Sequence, residues 1–186
     1  MLIVVIGVPG VGKSTLVCHL QERFGWKPVD VYTTRPPRPA DIGRISVSTE
    51  ELARIIESEG IGIRNLVCDN EYFISKKTFE TVVSSPDVFL MDVAPLLWDR
   101  EKYSGCLSIL LMPQCRCQLK LQAGSGSYPE RLNDSLTEYD NLSTGLVKQI
   151  LSEGAIEITN ILNDIGRTAI NVVNLYNFWR SSQYRK

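Results

Sequence analysis

The residues best suited to chemistry stand at the start of the chain, in the pattern Gly-x-x-x-x-Gly-Lys-Ser. Glycines at this spacing let backbone N–H groups approach an anion, the lysine adds a cation, and the serine hydroxyl can bind Mg²⁺. The apolar run before the pattern predicts a buried strand, and residues 14–24 predict a helix whose N-terminus faces the anion. We therefore predict a polyphosphate-binding loop made of Gly7, Gly10, Val11, Gly12, Lys13, Ser14 and Thr15.

Two further groups of charged residues are placed for anion chemistry. Arg35 and Arg38 lie among prolines in the segment Thr-Thr-Arg-Pro-Pro-Arg-Pro, which stiffens the backbone that carries both guanidinium groups. Asp92 ends a near-continuous apolar run, a pattern typical of a central parallel strand that delivers a carboxylate to the ligand-binding edge of a sheet. A solvated loop and a strand-end cap are the structural alternatives for these two features.

Strands and helices alternate along most of the chain, which predicts a P-loop NTPase-type parallel α/β sheet flanked by helices, with a small β-rich insert. The helices after Ser48 and Ser75 begin with capping residues. We predict strands at 2–6, 29–34, 62–68, 71–74, 88–92, 107–112 and 155–162, and helices at 14–24, 48–59, 75–83, 115–122, 129–152 and from 165 onward.

The composition excludes several classes of protein. With 20 Lys+Arg against 21 Asp+Glu, the chain has no basic surplus of the kind that nucleic-acid-binding domains use. No apolar stretch is long enough for a membrane span, and the N-terminal run lacks the features of a targeting peptide. The five cysteines are odd in number and scattered, so we expect reduced thiols in a cytoplasmic protein, and only weak support for zinc at Cys115 and Cys117.

The loop, the double-arginine segment, Asp92 and the later Glu130-Arg131-Leu132, in this order, resemble the guanylate kinase family. The resemblance implies one domain over 1–186, with a core at 1–32 and 83–186, an acceptor-binding insert at about 33–82 and a lid at about 120–135. It implies ATP and Mg²⁺ as cofactors, with the metal near Ser14 and Asp92. It further implies catalytic roles for Lys13, Arg38, Asp92 and Arg131, and acceptor binding by Arg35, Arg38 and Asp92.

The chain departs from this family where the acceptor binds. Val31 stands where a serine is usual, and the segment Gly43-Arg44-Ile45-Ser46 lacks the usual tyrosine. The acidic residue that reads guanine falls at Arg64 in one alignment and at Ile63 in another, so guanine's N–H donors would lack an acceptor. We therefore expect Arg64, Tyr72 and Ser75 to surround a different base, that of a deoxypyrimidine monophosphate or a modified nucleotide of the kind that viral kinases handle.

The sequence leaves other functions open. The lid lacks the family's arginines, and weaker stabilisation of the transferring phosphoryl group is expected from that loss. A ribose phosphate could be the acceptor instead, and a non-catalytic guanylate-kinase-like binding module is the alternative from a different class. The expected partner is a small nucleotide, with no membrane and no nucleic acid, and the sequence leaves a homodimer open.

Overall fold

The computed structural model describes residues 1–38, 41–67, 69–115, 117–119, 137, 139–140 and 145–183. Two β-sheets and the helices around them make up this part of the chain. In chain order the elements are β1 (Leu2–Ile6), α1 (Lys13–Phe24), β2 (Lys27–Pro28), β3 (Val31–Thr33), β4 (Arg44–Ser46), α2 (Thr49–Glu59), β5 (Ile61–Val67), β6 (Asn70–Ser75), α3 (Lys76–Ser84), β7 (Phe89–Val93), a 3₁₀ turn (Pro95–Leu97), β8 (Leu107–Pro113), α4 (Val147–Ser152), β9 (Ile156–Asn160) and α5 (Ile165–Gln183).

The large sheet has five strands in the order β2-β7-β1-β8-β9, and every neighbouring pair is parallel. The middle strand, β1, is apolar at each position and buried throughout, as a strand covered on both faces requires. Helices α1 and α5 pack against each other beside the sheet. The predicted fold class, a parallel α/β sheet flanked by helices with a small separate sheet, is confirmed.

The small sheet is mixed, with the order β4-β3-β6-β5. Strands β3 and β4 are parallel, whereas β6 is antiparallel to both β3 and β5. We call the side that packs toward the large sheet the inner face. Because side chains alternate along a strand and paired residues share a face, its members include Val31, Thr33, Arg44, Ile63, Asn65, Tyr72 and Ile74. On the opposite, outer face, Phe73 and Leu52 are both buried where α2 covers β6, apart from the main core.

Side-chain caps begin three of the helices. The Ser48 hydroxyl accepts a hydrogen bond from Glu51 N at 3.1 Å, and the Ser75 hydroxyl accepts one from Thr78 N at 3.0 Å. The carboxylate of Asp164 caps α5 by accepting from Arg167 N at 3.0 Å. The caps at Ser48 and Ser75 follow the sequence prediction. No helix in the described ranges is long and apolar enough to span a bilayer.

The predicted strand over 29–34 is divided between the two sheets. Residues 27–28 pair with β7 in the large sheet, whereas residues 31–33 pair with β4 and β6 in the small sheet. The chain crosses at Val29 and Asp30, where Val29 N still donates to Leu90 O and Val31 N donates to Gly43 O. Alternation in the sequence indicated extended backbone correctly, but could not indicate that its hydrogen-bond partners change within six residues.

The cysteines differ from the expectation of free thiols. Cys115 and Cys117 form a disulfide, with their Cα atoms 5.3 Å apart. The expectation of reduced thiols is therefore wrong for this pair, because the odd number and scatter of the cysteines did not indicate that two of them pair locally. Cys18 and Cys106 are free thiols, and Cys68 lies outside the described residues.

Some predicted features lie partly or wholly outside the described ranges. Residues 117–119 are helical, as predicted for 115–122, and α4 forms the end of the helix predicted over 129–152. The lid at 120–135, which includes Arg131, lies within the undescribed residues 120–136. The boundaries of the insert and lid stay predictions.

Candidate active site

The glycine-rich loop joins the central strand β1 to helix α1. Gly10 and Gly12 have positive φ values of 75° and 96°, a conformation that glycine adopts without a steric penalty. Gly12 is the N-cap of α1 and provides no side-chain hydrogen bond to the first turn. The ammonium group of Lys13 donates to Gly7 O at 2.6 Å and to Val8 O at 3.0 Å. The loop thus combines a helix N-terminus with a lysine folded over it, an arrangement suited to binding phosphate.

Two buried polar side chains, Asn160 and Thr168, hold the backbone of the glycine-rich loop in place. Asn160, at the end of β9, donates from Nδ2 to Val11 O at 2.7 Å, and its Oδ1 accepts from the Thr168 hydroxyl at 3.1 Å. Both side chains are buried, so their hydrogen bonds fix the loop against the far edge of the sheet. The sequence analysis missed this support; a polar residue at the end of an apolar strand is the signal that could have revealed it.

Replacing Gly7 by alanine is expected to weaken triphosphate binding about tenfold or more, because overpacking costs about 1–3 kcal/mol. An added Cβ would lie 2.8 Å from Val11 Cγ1 and 3.0 Å from Leu111 O, and the carbonyl belongs to a core strand. Calorimetric titration with Mg·ATP measures the effect. Gly166→Ala is the matched control, since its Cβ would meet nothing closer than 3.7 Å. Equal affinity for Gly7→Ala and wild type would show that the close packing at Gly7 is unimportant.

Asp92 and Arg44 bring the two sheets together beside the loop. Asp92 pairs with Val5 in the β1–β7 ladder, and Val5 precedes Gly7 by two residues. Gly7 N also donates a hydrogen bond to Val93 O at 3.2 Å. From the small sheet, Arg44 Nη2 donates to Asp92 Oδ1 and lies 3.5 Å from the carbonyl oxygen of Asp92. Asp92 is therefore at the predicted edge, and Arg44, which the sequence analysis did not assign to the site, is its partner.

The two arginines of the proline-rich segment are organised by Asp41. Its Oδ1 accepts from Arg35 Nη2 at 2.6 Å and its Oδ2 accepts from Arg38 N at 2.8 Å. Arg35 is 6% exposed, and its Nε and Nη1 atoms have no hydrogen-bond partner within the described part of the chain. A buried guanidinium with two unpaired donors suits an anionic ligand. Asp41, also missed from sequence, positions this group.

The predicted base-binding residues do not come together. Arg64 lies on the outer face, where its Nε and Nη2 donate to the carboxylate of Glu71 at 2.8 and 2.9 Å. Tyr72 lies on the inner face, with its ring 5.9 Å below the Arg44 guanidinium. The Ser75 hydroxyl is fully buried and makes the α3 cap. Because successive side chains along β5 point to opposite faces of the sheet, Asn65 rather than Arg64 is the polar β5 residue that shares a face with Tyr72.

Tyr103 adds a buried hydroxyl near this face. Its side chain is 2% exposed, and its Oη has no hydrogen-bond partner of good geometry among the described residues. Burial raises the pKa of Tyr103 to about 12, against smaller lowering effects that include the nearby Asn65 amide and the Arg44 cation. The phenol is therefore neutral at physiological pH and can donate a hydrogen bond.

Replacing Tyr103 by phenylalanine is expected to remove part of the protein's alkaline instability. The pKa of Tyr103 is higher in the folded protein than the unfolded value of 10. Ionisation of this phenol therefore costs the fold no stability below pH 10, and it lowers the free energy of unfolding progressively as the pH rises toward 12. The change corresponds to at most about 2–3 kcal/mol. Urea unfolding at pH 8 and pH 11 measures it, and the variant should be at least as stable as wild type at pH 8. An equal loss in both proteins would assign the instability to other groups, such as Cys106, whose pKa burial raises to about 11.

Comparisons with known proteins agree with this architecture. No protein-family model matches the chain, and no curated protein sequence matches it significantly. Among solved structures, the crystal structure of guanylate kinase from Anaplasma phagocytophilum superposes with a TM-score of 0.66 and 20% sequence identity. The match covers 95% of this chain and 84% of that one. The chain has a guanylate kinase-like fold.

Proposed function

We propose that this protein transfers the γ-phosphoryl group of Mg·ATP to a nucleoside monophosphate other than GMP. The observation that carries the proposal is the contact between Arg44 and Asp92, which joins the inner face of the small sheet to the edge of the large sheet that holds the phosphate loop. A loop suited to the donor phosphates and a guanidinium at the same edge are what phosphoryl transfer between two anionic substrates requires, since its catalysis is mainly positioning and charge neutralisation.

The described residues fit these roles. Backbone N–H groups of the glycine-rich loop and the Lys13 ammonium would hold the β- and γ-phosphates of ATP. The Ser14 hydroxyl and the Asp92 carboxylate are oxygen ligands of the type that Mg²⁺ prefers, and the metal would neutralise charge on the phosphates. Arg35 and Arg38 would bind the acceptor phosphate, which would supply partners for the unpaired Nε and Nη1 donors of Arg35. Arg131 stays a proposed catalytic cation.

The exclusion of GMP is supported by the chemistry of the inner face. Guanine presents N–H donors at N1 and N2, which need an acidic or other acceptor group. Neither of the residues that β5 contributes around this point, Ile63 and Asn65, is a carboxylate. Asn65 offers one acceptor and a donor group, a set that complements the alternating edge of a pyrimidine and leaves one guanine donor unpaired. The proposed acceptor is accordingly a deoxypyrimidine monophosphate, normal or modified.

A coupled ADP-release assay tests the proposal. Mg·ATP is offered with each common ribo- and deoxynucleoside monophosphate, with ribose 5-phosphate as an arm for a sugar phosphate acceptor. Selective turnover of a pyrimidine nucleotide is the expected result. Comparable turnover of GMP would refute the assigned specificity, and turnover of ribose 5-phosphate alone would replace the nucleotide acceptor. Binding of Mg·ATP without transfer to any acceptor would refute the kinase and favour a binding module.

A further inference from the structure

We propose that Arg44 binds the phosphate of the acceptor, and that the carboxylate of Asp92 pairs with the Arg44 guanidinium until the acceptor binds. The inference rests on the proposed function, because it takes the ligand of the inner face to be a phosphorylated small molecule. It assigns a binding role to a residue that lies outside the motifs of the phosphate loop and of the double-arginine segment. It also makes the release of Asp92 a consequence of acceptor binding.

The first support is the surroundings of Arg44. The side chain is 13% exposed, and it starts from β4, opposite Val31 in the parallel ladder. Its guanidinium lies 5.9 Å from the centroid of the Tyr72 ring, so the aromatic face helps to hold the cation in place. A buried arginine is costly to keep unless its charge is neutralised. The position therefore calls for an anion, and the Asp92 carboxylate supplies one in the structure.

The second support is the incomplete match between Arg44 and Asp92. Both contacts to Asp92 come from one nitrogen, Nη2: one goes to the Oδ1 atom and the other, at 3.5 Å, to the backbone carbonyl. A guanidinium and a carboxylate at their best geometry form two parallel hydrogen bonds. The single-nitrogen contact leaves the bidentate arrangement unused, and phosphate, with more acceptor oxygens and greater charge, is a stronger ligand for the same group.

The third support is the place of Asp92 in the large sheet. Asp92 lies at the edge that holds the phosphate loop, and its side chain is 26% exposed. Its contact with Arg44 joins β7 of the large sheet to β4 of the small sheet, across 48 residues of sequence. While the carboxylate neutralises Arg44, it is less available to a cation near the loop. An acceptor phosphate that takes over Arg44 releases this carboxylate, so the two ligands are coupled through one exchange.

The exchange predicts opposite effects for its two members. Arg44→Gln should raise the dissociation constant of a bound monophosphate about tenfold or more, since it removes charge-assisted hydrogen bonds, while leaving binding of the matching unphosphorylated nucleoside unchanged. Asp92→Ala removes the competing carboxylate, so the monophosphate should bind several-fold more tightly even though transfer is lost. Arg54→Gln, an exposed arginine on α2, is the matched control and should bind like wild type.

Isothermal titration calorimetry with dTMP, dCMP, dUMP, UMP and CMP and their nucleosides tests the proposal independently of turnover. A phosphate-specific loss in Arg44→Gln together with tighter binding in Asp92→Ala supports it. Equal losses for nucleotide and nucleoside in Arg44→Gln would make Arg44 a structural residue and overturn it. Weaker monophosphate binding by Asp92→Ala would overturn the exchange, as would no monophosphate binding to wild type. Monophosphate binding with no transfer would refute the kinase alone.

Discussion

Replacing Lys13 by alanine is expected to lower the rate of phosphoryl transfer by at least about 10²–10³-fold, the usual cost of removing a preorganised electrostatic group. The side chain belongs to the first turn of α1 and its ammonium lies over the loop, bonded to the carbonyl oxygens of Gly7 and Val8. It contributes nothing to the apolar core, so the melting temperature should change little. The coupled ADP-release assay and a thermal melt give the two readouts.

Lys27→Ala is the matched control for this prediction. Lys27 forms an ion pair with Asp87 at the surface, where both side chains are about half exposed, and exposed pairs of this kind contribute little to stability. We expect this variant to keep wild-type activity. If Lys13→Ala retained its activity, the loop would not hold the donor phosphates and the proposed reaction would lose its basis. If Lys13→Ala did not fold, the Mg·ATP affinity of the folded variant Gly7→Ala, compared with that of wild type, would decide the role of the loop.

Replacing Arg35 by lysine is expected to raise the KM of the acceptor about tenfold to a hundredfold and to change the KM of ATP little. The buried Arg35 uses Nη2 for Asp41, and its other two nitrogen donors, Nε and Nη1, have no partners in the described residues. A lysine preserves the charge but cannot present the planar fork that binds phosphate at two points. Steady-state kinetics with each substrate varied in turn separates the two effects.

The same substitution should not destabilise the free protein strongly. An unpaired buried donor costs about 1–3 kcal/mol, and Arg35→Lys removes the Nε and Nη1 donors that lack partners. Urea unfolding without ligand measures this, with Arg54→Lys on the exposed face of α2 as control. A large loss of stability, with equal changes in both KM values, would show that Arg35 serves the fold and has no special relation to the acceptor.

The parts of the molecule that could be predicted from sequence are those set by local rules. The strand β1, the start of α1 after the glycines, and the caps at Ser48 and Ser75 each depend on a few neighbouring residues. The structure confirms these local features. Asp92 was predicted at the edge of the sheet because a strand that ends in a carboxylate has one common place in a parallel fold.

The parts that could not be predicted depend on partners distant in the chain. A shift of one residue along β5 decides that Asn65 and not Arg64 shares a face with Tyr72, and the two alignments of that segment differed by this one residue. The contact between Arg44 and Asp92 joins two sheets across 48 residues. The contacts of the small sheet therefore had to await the structure, whereas the glycine-rich loop and the strand and helix that flank it did not.

The two faces of the small sheet have separate tasks, which bears on how such a site changes during evolution. Phe73 and Leu52 hold the sheet to α2 on its outer face, away from the main core. Arg44 and Asn65, on the other side, are polar and contribute little apolar packing. In the proposed kinase, a substitution at Asn65 would alter the groups offered to the acceptor without changing the apolar contacts of Ile63 and Ile74 on the same face. The proposed acceptor could thus change while the contacts between Phe73 and Leu52 on the outer face stay the same.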